Sequence, residues 1–321
     1  MLRRQDVGHR VVIRRVVGVR GGRPQFSDAL GELVAVDDTN LTLATARGTI
    51  VVPLDEVHRA KRVPPQRRPT AADVIALELA ADAAWPAPTR AKLGDWLLRS
   101  ADGWTGRANS ALPIGDPDRP LEAAIDAIEE WYAERGQPAL VNTPLPLAAP
   151  VGAALDDRGW TARPLVLVQT APLEPIAGEE KITLSRAPGD DWLEIVRARK
   201  SSLPAAARRV LTGPRRVRFA AAYDGDALVA IGRGAVVGDD NRRLHLALIE
   251  VVPSHRRRGL ARRVTRALAA WGLGEGATTA FLQVEEHNTA AVALYGTLGF
   301  TTHHSYLTRE PATAARPDAA C

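Results

Sequence analysis

The stretch from Leu244 to Phe300 constrains this chain more than any other. It begins LHLALIEVVPSHRRRGLARRVTRALAAWG and ends FLQVEEHNTAAVALYGTLGF. Leu244, Leu246 and Leu248 alternate at period two, which predicts a strand. Pro253 ends it, having no N–H to give a ladder. Leu260, Val264, Leu268 and Trp271 then recur at helical spacing, with Gly272 as a stop signal. A basic, glycine-containing turn, Arg256-Arg257-Arg258-Gly259-Leu260-Ala261, therefore joins a strand to a helix N-terminus. The free N–H groups and dipole of such a terminus suit a phosphate. Gly259 lets backbone approach a ligand closely, and small Ala261 does not obstruct it. Downstream, Asn288 can cap a helix. Tyr295, seven residues on, falls on the same helix face. Leu294, Leu298, Gly299 and Phe300 close that helix and open another strand.

In these residues the sequence resembles the GCN5-related N-acetyltransferases, the GNAT superfamily. Arg256, Gly259 and Ala261 match that family's signature, Gln/Arg-x-x-Gly-x-Gly/Ala. Asn288, Ala291, Leu294, Tyr295, Leu298, Gly299 and Phe300 match its later Asn…Ala…Leu-Tyr…Leu-Gly-Phe element. The resemblance implies acetyl-CoA as cosubstrate, no metal, and direct attack of a primary amine in a ternary complex. It implies that Ile249, Glu250 and Val251 pair with the pantetheine arm. Arg256, Arg257, Arg258, Gly259, Leu260, Ala261 and Arg262 would surround the pyrophosphate, and Asn288 would bond near the pantetheine. Tyr295 would hold or protonate the departing thiolate, a phenol of pKa about 10 serving a thiol of about 8.5.

The base is open, with His245 and Glu250 as the first two candidates. His245, with an ordinary pKa of about 6.5, suits proton removal near neutrality. Glu250 lies nearer the thioester, but simple alternation puts it on the opposite face unless a bulge intervenes. Gln283 stands where some relatives carry a glutamate and cannot serve; Glu285 and Glu286 remain candidates.

Upstream, residues 70–175 repeat the same order of elements. A capped helix starts at Thr70. Strands KLGDWLLRSAD and WTGRANSALPI follow, joined by Gly103, then an amphipathic helix, a strand, a short helix and a last strand. Leu155, Gly159 and Trp160 echo Leu298, Gly299 and Phe300, which reads as an internal duplication. This copy lacks the basic turn, carrying GDPDRP instead, and lacks the tyrosine. It is therefore expected to bind no acetyl-CoA and to shape an acceptor pocket, with Trp96, Trp104, Arg107 and Asn109 as lining candidates. Arg107, or Arg233 in the second copy, could clamp a carboxylate. Gly232-Arg233-Gly234 looks like part of a dinucleotide fingerprint, but no helix follows it, so that reading is rejected.

Residues 1–66 read as five short strands with tight turns, a small Src-homology-3-like β-barrel. The fold class is therefore α+β: this barrel, a degenerate GNAT-like domain at 70–175, a catalytic GNAT domain at 181–310, and a disordered tail at 311–321. Residues 1–68 hold 13 Lys/Arg against 7 Asp/Glu, whereas the remainder is nearly balanced. Nucleic acid or an acidic partner at the barrel is thus a possible but not a favoured contact, since Phe26 is its one aromatic residue for base stacking. A homodimer is a further possible use of the barrel. Cys321 is the single cysteine, which excludes internal disulfides and thiolate metal clusters and fits a cytoplasmic protein. No run is long enough for a membrane span. By resemblance to actinobacterial members with this domain order, the acceptor is an amino acid such as glutamate, a small molecule, or a protein lysine or N-terminus. The alternative is a non-catalytic acetyl-CoA-binding regulator.

Overall fold

The computed structural model describes residues 2–45, 48–63, 69–200, 203–238, 240 and 242–312. They form two compact units, Met1–Arg68 and Pro69–Cys321. The end of the expected first domain, residues 64–66, and nearly all of the expected tail, Cys321 included, lie outside the described residues.

The first unit contains β1 (Arg10–Arg20), β2 (Arg23–Val36), β3 (Asn40–Thr45), β4 (Gly48–Pro53) and β5 (Val57–Arg62), with a 3-10 turn at Leu54–Glu56. Val11, Ile13, Leu33, Leu41, Leu43 and Val52 are fully buried and make its core. Their period-two placement puts one face of each strand inward. The strands pair in the order β4-β3-β2-β1-β5. Among the described residues β4 and β5 do not pair, so the expected barrel is instead an open sheet. Register shifts at Val16/Gly18 and Leu33/Ala35 bend the long strands without closing it.

The second unit is built on a nine-stranded mixed sheet. Its first half supplies α1 (Ala71–Ala84), a separate hairpin of β6 (Thr89–Leu93) and β7 (Trp96–Ser100), α2 (Leu121–Ala133), β8 (Val141–Leu145), α3 (Ala149–Asp157), β9 (Trp160–Ala162) and β10 (Val166–Pro172). The second half supplies β11 (Thr183–Ser185), α4 (Asp190–Lys200), α5 (Ala205–Thr212), β12 (Val217–Asp224), β13 (Ala227–Val237), β14 (Arg243–Val251), α6 (Leu260–Gly274), β15 (Thr279–Glu285), α7 (Thr289–Thr297) and β16 (Thr301–Pro311). The expected strand pair joined by Gly103 differs: the hairpin turns at Gly94, and 104–114 holds a 3-10 turn at Gly106–Asn109 with isolated bridges. Asp102 and Gly103 both take positive φ, so the chain leaves the hairpin there.

The sheet runs β11-β12-β13-β14-β15-β10-β16-β8, with β9 also on β16. The two halves have thus exchanged strands. β10 of the first half lies between β15 and β16 of the second, and β16 lies between β8 and β9 of the first. A boundary near residue 175 is not a break in the sheet. Arg309 on β16 secures the exchange: it donates to both Asp156 carboxylate oxygens at 2.7 and 3.0 Å and to Thr143 at 2.6 Å. α6 and α7 cover one sheet face around Leu244, Val264, Leu268 and Phe300. α1, α4 and α5 cover the other around Leu77, Trp192, Val210, Phe219 and Ile231.

The Gly232-Arg233-Gly234 run has a packing explanation. A Cβ on Gly232 would stand 2.4 Å from Val264 Cγ1, and one on Gly234 would stand 3.1 Å from Leu268. Both glycines let α6 lie close on the sheet. Arg233, between them, points to the other face, where it is fully buried.

Candidate active site

β14 and β15 are parallel neighbours only at Arg243–His245 opposite Thr279–Phe281. Beyond His245 they separate. A bulge causes part of this: β14 slips against β13 between Ile231 and Arg233, and Leu248 adopts φ 53°. The opening is a cavity of about 400 Å³. Leu246 to Glu250 line one wall, and Gln283 to Glu285 with Asn288, Ala291 and Tyr295 line the other. The first half adds Trp85, Thr105, Gly106 and Arg107, and β16 adds Tyr306 and Thr308.

The bulge resolves the alternation problem for Glu250. Its side chain reaches the cavity and accepts from Arg199 Nη1 at 2.6 Å. Tyr295 is 8% exposed, and its ring meets Phe300 edge-on at 5.6 Å. Its hydroxyl makes no hydrogen bond among the described residues. Burial first, then the charge of Glu250, raises its pKa well above 10, so the phenol stays protonated. Asn288 caps α7, its Oδ1 accepting from Ala291 N–H at 3.3 Å; Asn288 and Tyr295 line the same cavity.

His245 takes a different place from the one expected of a base. It is fully buried at the closed end of the opening and is not part of the cavity wall. Its Nε2 lies 2.9 Å from Gln283 Oε1 and 3.1 Å from Arg107 Nη1, while Nδ1 is buried without a partner. Burial, then the charges of Arg107 and Arg233, hold its pKa well below 6.5. The ring is therefore neutral near pH 7. Glu285 also lines the cavity and lies 3.3 Å from His287; Glu286 is exposed and is not in its wall.

The basic turn forms as expected. Gly259 is the N-cap of α6 at φ 77°, with no side chain capping the helix. Nothing stands within 4 Å of where its Cβ would be. The first-turn N–H groups of Leu260, Ala261 and Arg262 precede the first i→i−4 bond, which Arg263 donates to Gly259. Arg257 also has positive φ, 65°. Arg256 and Arg258 are exposed, their guanidinium groups weakly held by Val251 O and Asp224 at 3.4 and 3.3 Å. Arg262 donates to Thr297. In the first half the matching helix start is closed differently. Asp116 accepts from Asp95 N–H at 2.7 Å and folds the acidic loop onto the hairpin.

The substrate candidates separate. Arg107 lines the cavity, donating Nη1 to Gln283 and approaching the Trp85 ring at 5.4 Å. Trp104 lies behind it, buried and stacked on Trp85 at 5.4 Å. Trp96 and Asn109 are core groups, bonded to Gly115 O and to backbone N–H groups respectively. Arg233 donates to the carbonyls of Leu211 and Ala84, at the C-terminal ends of α5 and α1, and does not reach the cavity. Burial lowers its pKa to about 9. Trp85, Arg199 and Tyr306 escaped sequence reading, because each reaches the cavity from an element outside the two motifs.

A mixed sheet that opens beside a bulged strand, with a glycine-capped helix following that strand, is the GNAT fold. The chain belongs to the family described as "Probable histone acetyltransferase Rv0428c C-terminal", which matches residues 71–308. It is a GNAT-type acetyltransferase. It is 36% identical over 297 residues to the probable histone acetyltransferase Rv0428c of Mycobacterium tuberculosis, covering 88% of this chain and 89% of that one. It is 30% identical over 251 residues to the uncharacterized N-acetyltransferase YobR of Bacillus subtilis, covering 73% and 98%. In fold it is similar to a GCN5-related N-acetyltransferase from Kribbella flavida (TM-score 0.59, 15% identity, 78% of this chain and 98% of that one). It is also similar to a tandem GNAT protein from the clavulanic acid pathway (TM-score 0.50, 17% identity, 78% and 91%). Among the described residues no helix is long and apolar enough to cross a membrane, and no group of His, Cys, Asp or Glu could hold a metal.

Proposed function

We propose that this chain transfers the acetyl group of acetyl-CoA to a primary amine by direct attack in a ternary complex. One observation carries the reading: the bulged wall Leu248–Glu250 and Tyr295, whose hydroxyl has no hydrogen bond among the described residues, border the same opening between β14 and β15. When bound, acetyl-CoA supplies an acetyl group already activated as a thioester. The residues fit such a ligand. The uncapped start of α6 offers N–H groups to a pyrophosphate, and the space above Gly259 leaves room for it. The bulge leaves Leu248 and Ile249 out of the register with β13, where backbone N–H groups can polarise a carbonyl.

Tyr295, held protonated, donates its proton or a hydrogen bond to the departing thiolate. Glu250 takes the acceptor's proton, directly or through one water. Arg199 pairs with that carboxylate and fixes its position on the cavity wall. His245, neutral and enclosed, holds Gln283 and Arg107 in place rather than acting as base.

The test is to mix pure protein with acetyl-CoA and pooled primary amines and to follow free thiol. Calorimetry should show one acetyl-CoA per chain, and thiol release should depend on amine. Binding with no amine-dependent release would leave a regulator, not an enzyme.

A further inference from the structure

Among the described residues, one positively charged side chain on the cavity wall has no ion-pair partner. Three arginines line the cavity. Arg199 is paired with Glu250, and Arg163 with Glu310. Arg107 makes no ion pair among the described residues. The acids around it are engaged with other groups: Glu78, whose charge acts on Arg107, with His304 at 2.8 Å, and on the cavity wall Glu250 with Arg199 and Glu285 with His287. Arg107 is half-buried, and burial lowers its pKa, so its charge is poorly solvated.

Its hydrogen bonds are also incomplete along one edge. Nη1 serves Gln283 and His245. Nε is buried with no partner, and Nη2 bonds to none of the described residues. Nε and Nη2 form the side of the guanidinium that offers two parallel N–H groups to one carboxylate. Tyr306, on the same cavity wall, has a hydroxyl with no hydrogen bond among the described residues. Its pKa is raised by burial, so it too is a donor. Gln283 and His245 supply only contacts to Nη1, which fix the fork without neutralising it.

We infer that Arg107, with Tyr306, binds an anionic group of the acceptor, so that the acceptor is an amine that also carries a carboxylate, as a free amino acid does. The inference rests on the acetyltransferase reading above and names its substrate class. The working half then contributes the acetyl-transfer groups, and the degenerate half contributes the selecting cation. A lysine inside a protein chain has no such carboxylate and leaves Arg107 unneutralised, which is the competing outcome.

The experiment uses the full chain and matched acceptors, each amino acid beside its carboxamide, with a peptide carrying an internal lysine. Thiol release gives kcat/KM for each. Calorimetry on the CoA-bound protein measures binding of the N-acetyl amino acids and their carboxamides. The carboxylate member should be favoured by about 10- to 100-fold, the worth of a charge-assisted hydrogen bond. Arg107→Ala should collapse that ratio towards one through KM, with acetyl-CoA affinity held within about twofold, a margin well below one charge-assisted bond. Arg107→Lys should keep only part of the preference, because the fork is lost. Tyr306→Phe, which keeps the ring, should lower the ratio without unfolding the site. Equal treatment of carboxylate and carboxamide in both turnover and binding overturns the inference, as does a preference that survives in Arg107→Ala. Faster transfer to the internal lysine also overturns it. In each case acetyl-CoA binding and amine-dependent thiol release would still stand, so failure here is distinct from failure of the acetyltransferase reading.

Discussion

Replacing Tyr295 by phenylalanine separates chemistry from packing. The ring is 8% exposed and packs edge-on to Phe300 at 5.6 Å, so phenylalanine keeps the buried surface and the aromatic contact. Only the oxygen is lost, and it has no hydrogen-bond partner among the described residues. No buried group is orphaned, so stability should change by less than about 1 kcal/mol. A general acid, by contrast, contributes about 10²- to 10⁴-fold to rate, with water recovering some of it. Thiol release should therefore fall by about tenfold or more while acetyl-CoA affinity and the melting temperature hold. The pH profile carries a second check. Burial and Glu250 raise the phenol's pKa above 10, so wild-type turnover should show no alkaline loss from this group below pH of about 10. Turnover within twofold of wild type would refute the assignment and leave Tyr295 as a packing residue.

Glu250→Gln should cost about 10²-fold in kcat, the scale of a general base, whereas His245→Gln should cost less than tenfold; pre-steady-state thiol release distinguishes them. His245 also shapes acid stability. Its folded pKa is depressed, so the unfolded chain binds a proton that the folded chain refuses. That contribution is complete above the unfolded value of about 6.5 and is lost as pH falls below it, so His245→Gln should flatten the decline of melting temperature between about pH 6.5 and 5. Gly259→Glu should abolish acetyl-CoA binding in calorimetry, because it strains the positive φ and sets negative charge where a pyrophosphate would lie. Arg309→Leu should destabilise the second unit by about 2 kcal/mol in urea unfolding, since it removes charge-assisted bonds to Asp156 and Thr143.

The sequence made the opening between β14 and β15 legible because its parts lie in two short, local motifs. Leucine alternation marks β14, Gly259 marks the start of α6, and the Asn288-to-Phe300 run marks α7. The five strands of the first unit were readable for the same reason, each having its own alternation and turn. Closure of that sheet was not readable, because it depends on whether β4 meets β5, a contact no local pattern encodes. The burial of His245 was not readable either. Its burial comes from Trp85, Phe281 and Arg107, which lie far from it in sequence. Arg233 shows the same limit: its partners Ala84 and Leu211 belong to two helices from different halves. Arg107 was found by residue type alone, and only the packing distinguishes its unneutralised charge from the neutralised ones beside it. Strand exchange left no sequence signal either, since β10 and β16 would look the same in an unexchanged pair.

That exchange has a consequence for the order in which the molecule is made. A ribosome delivers β8, β9 and β10 long before β16, and β16 is the partner all three require. Until Thr301–Pro311 emerges, β10 and β8 present unpaired edges to their surroundings. Such edges are templates for pairing with other chains. The nascent protein therefore passes through a long interval in which β8 and β9 are cut off from the rest of the main sheet, and they join it only when β16 is placed.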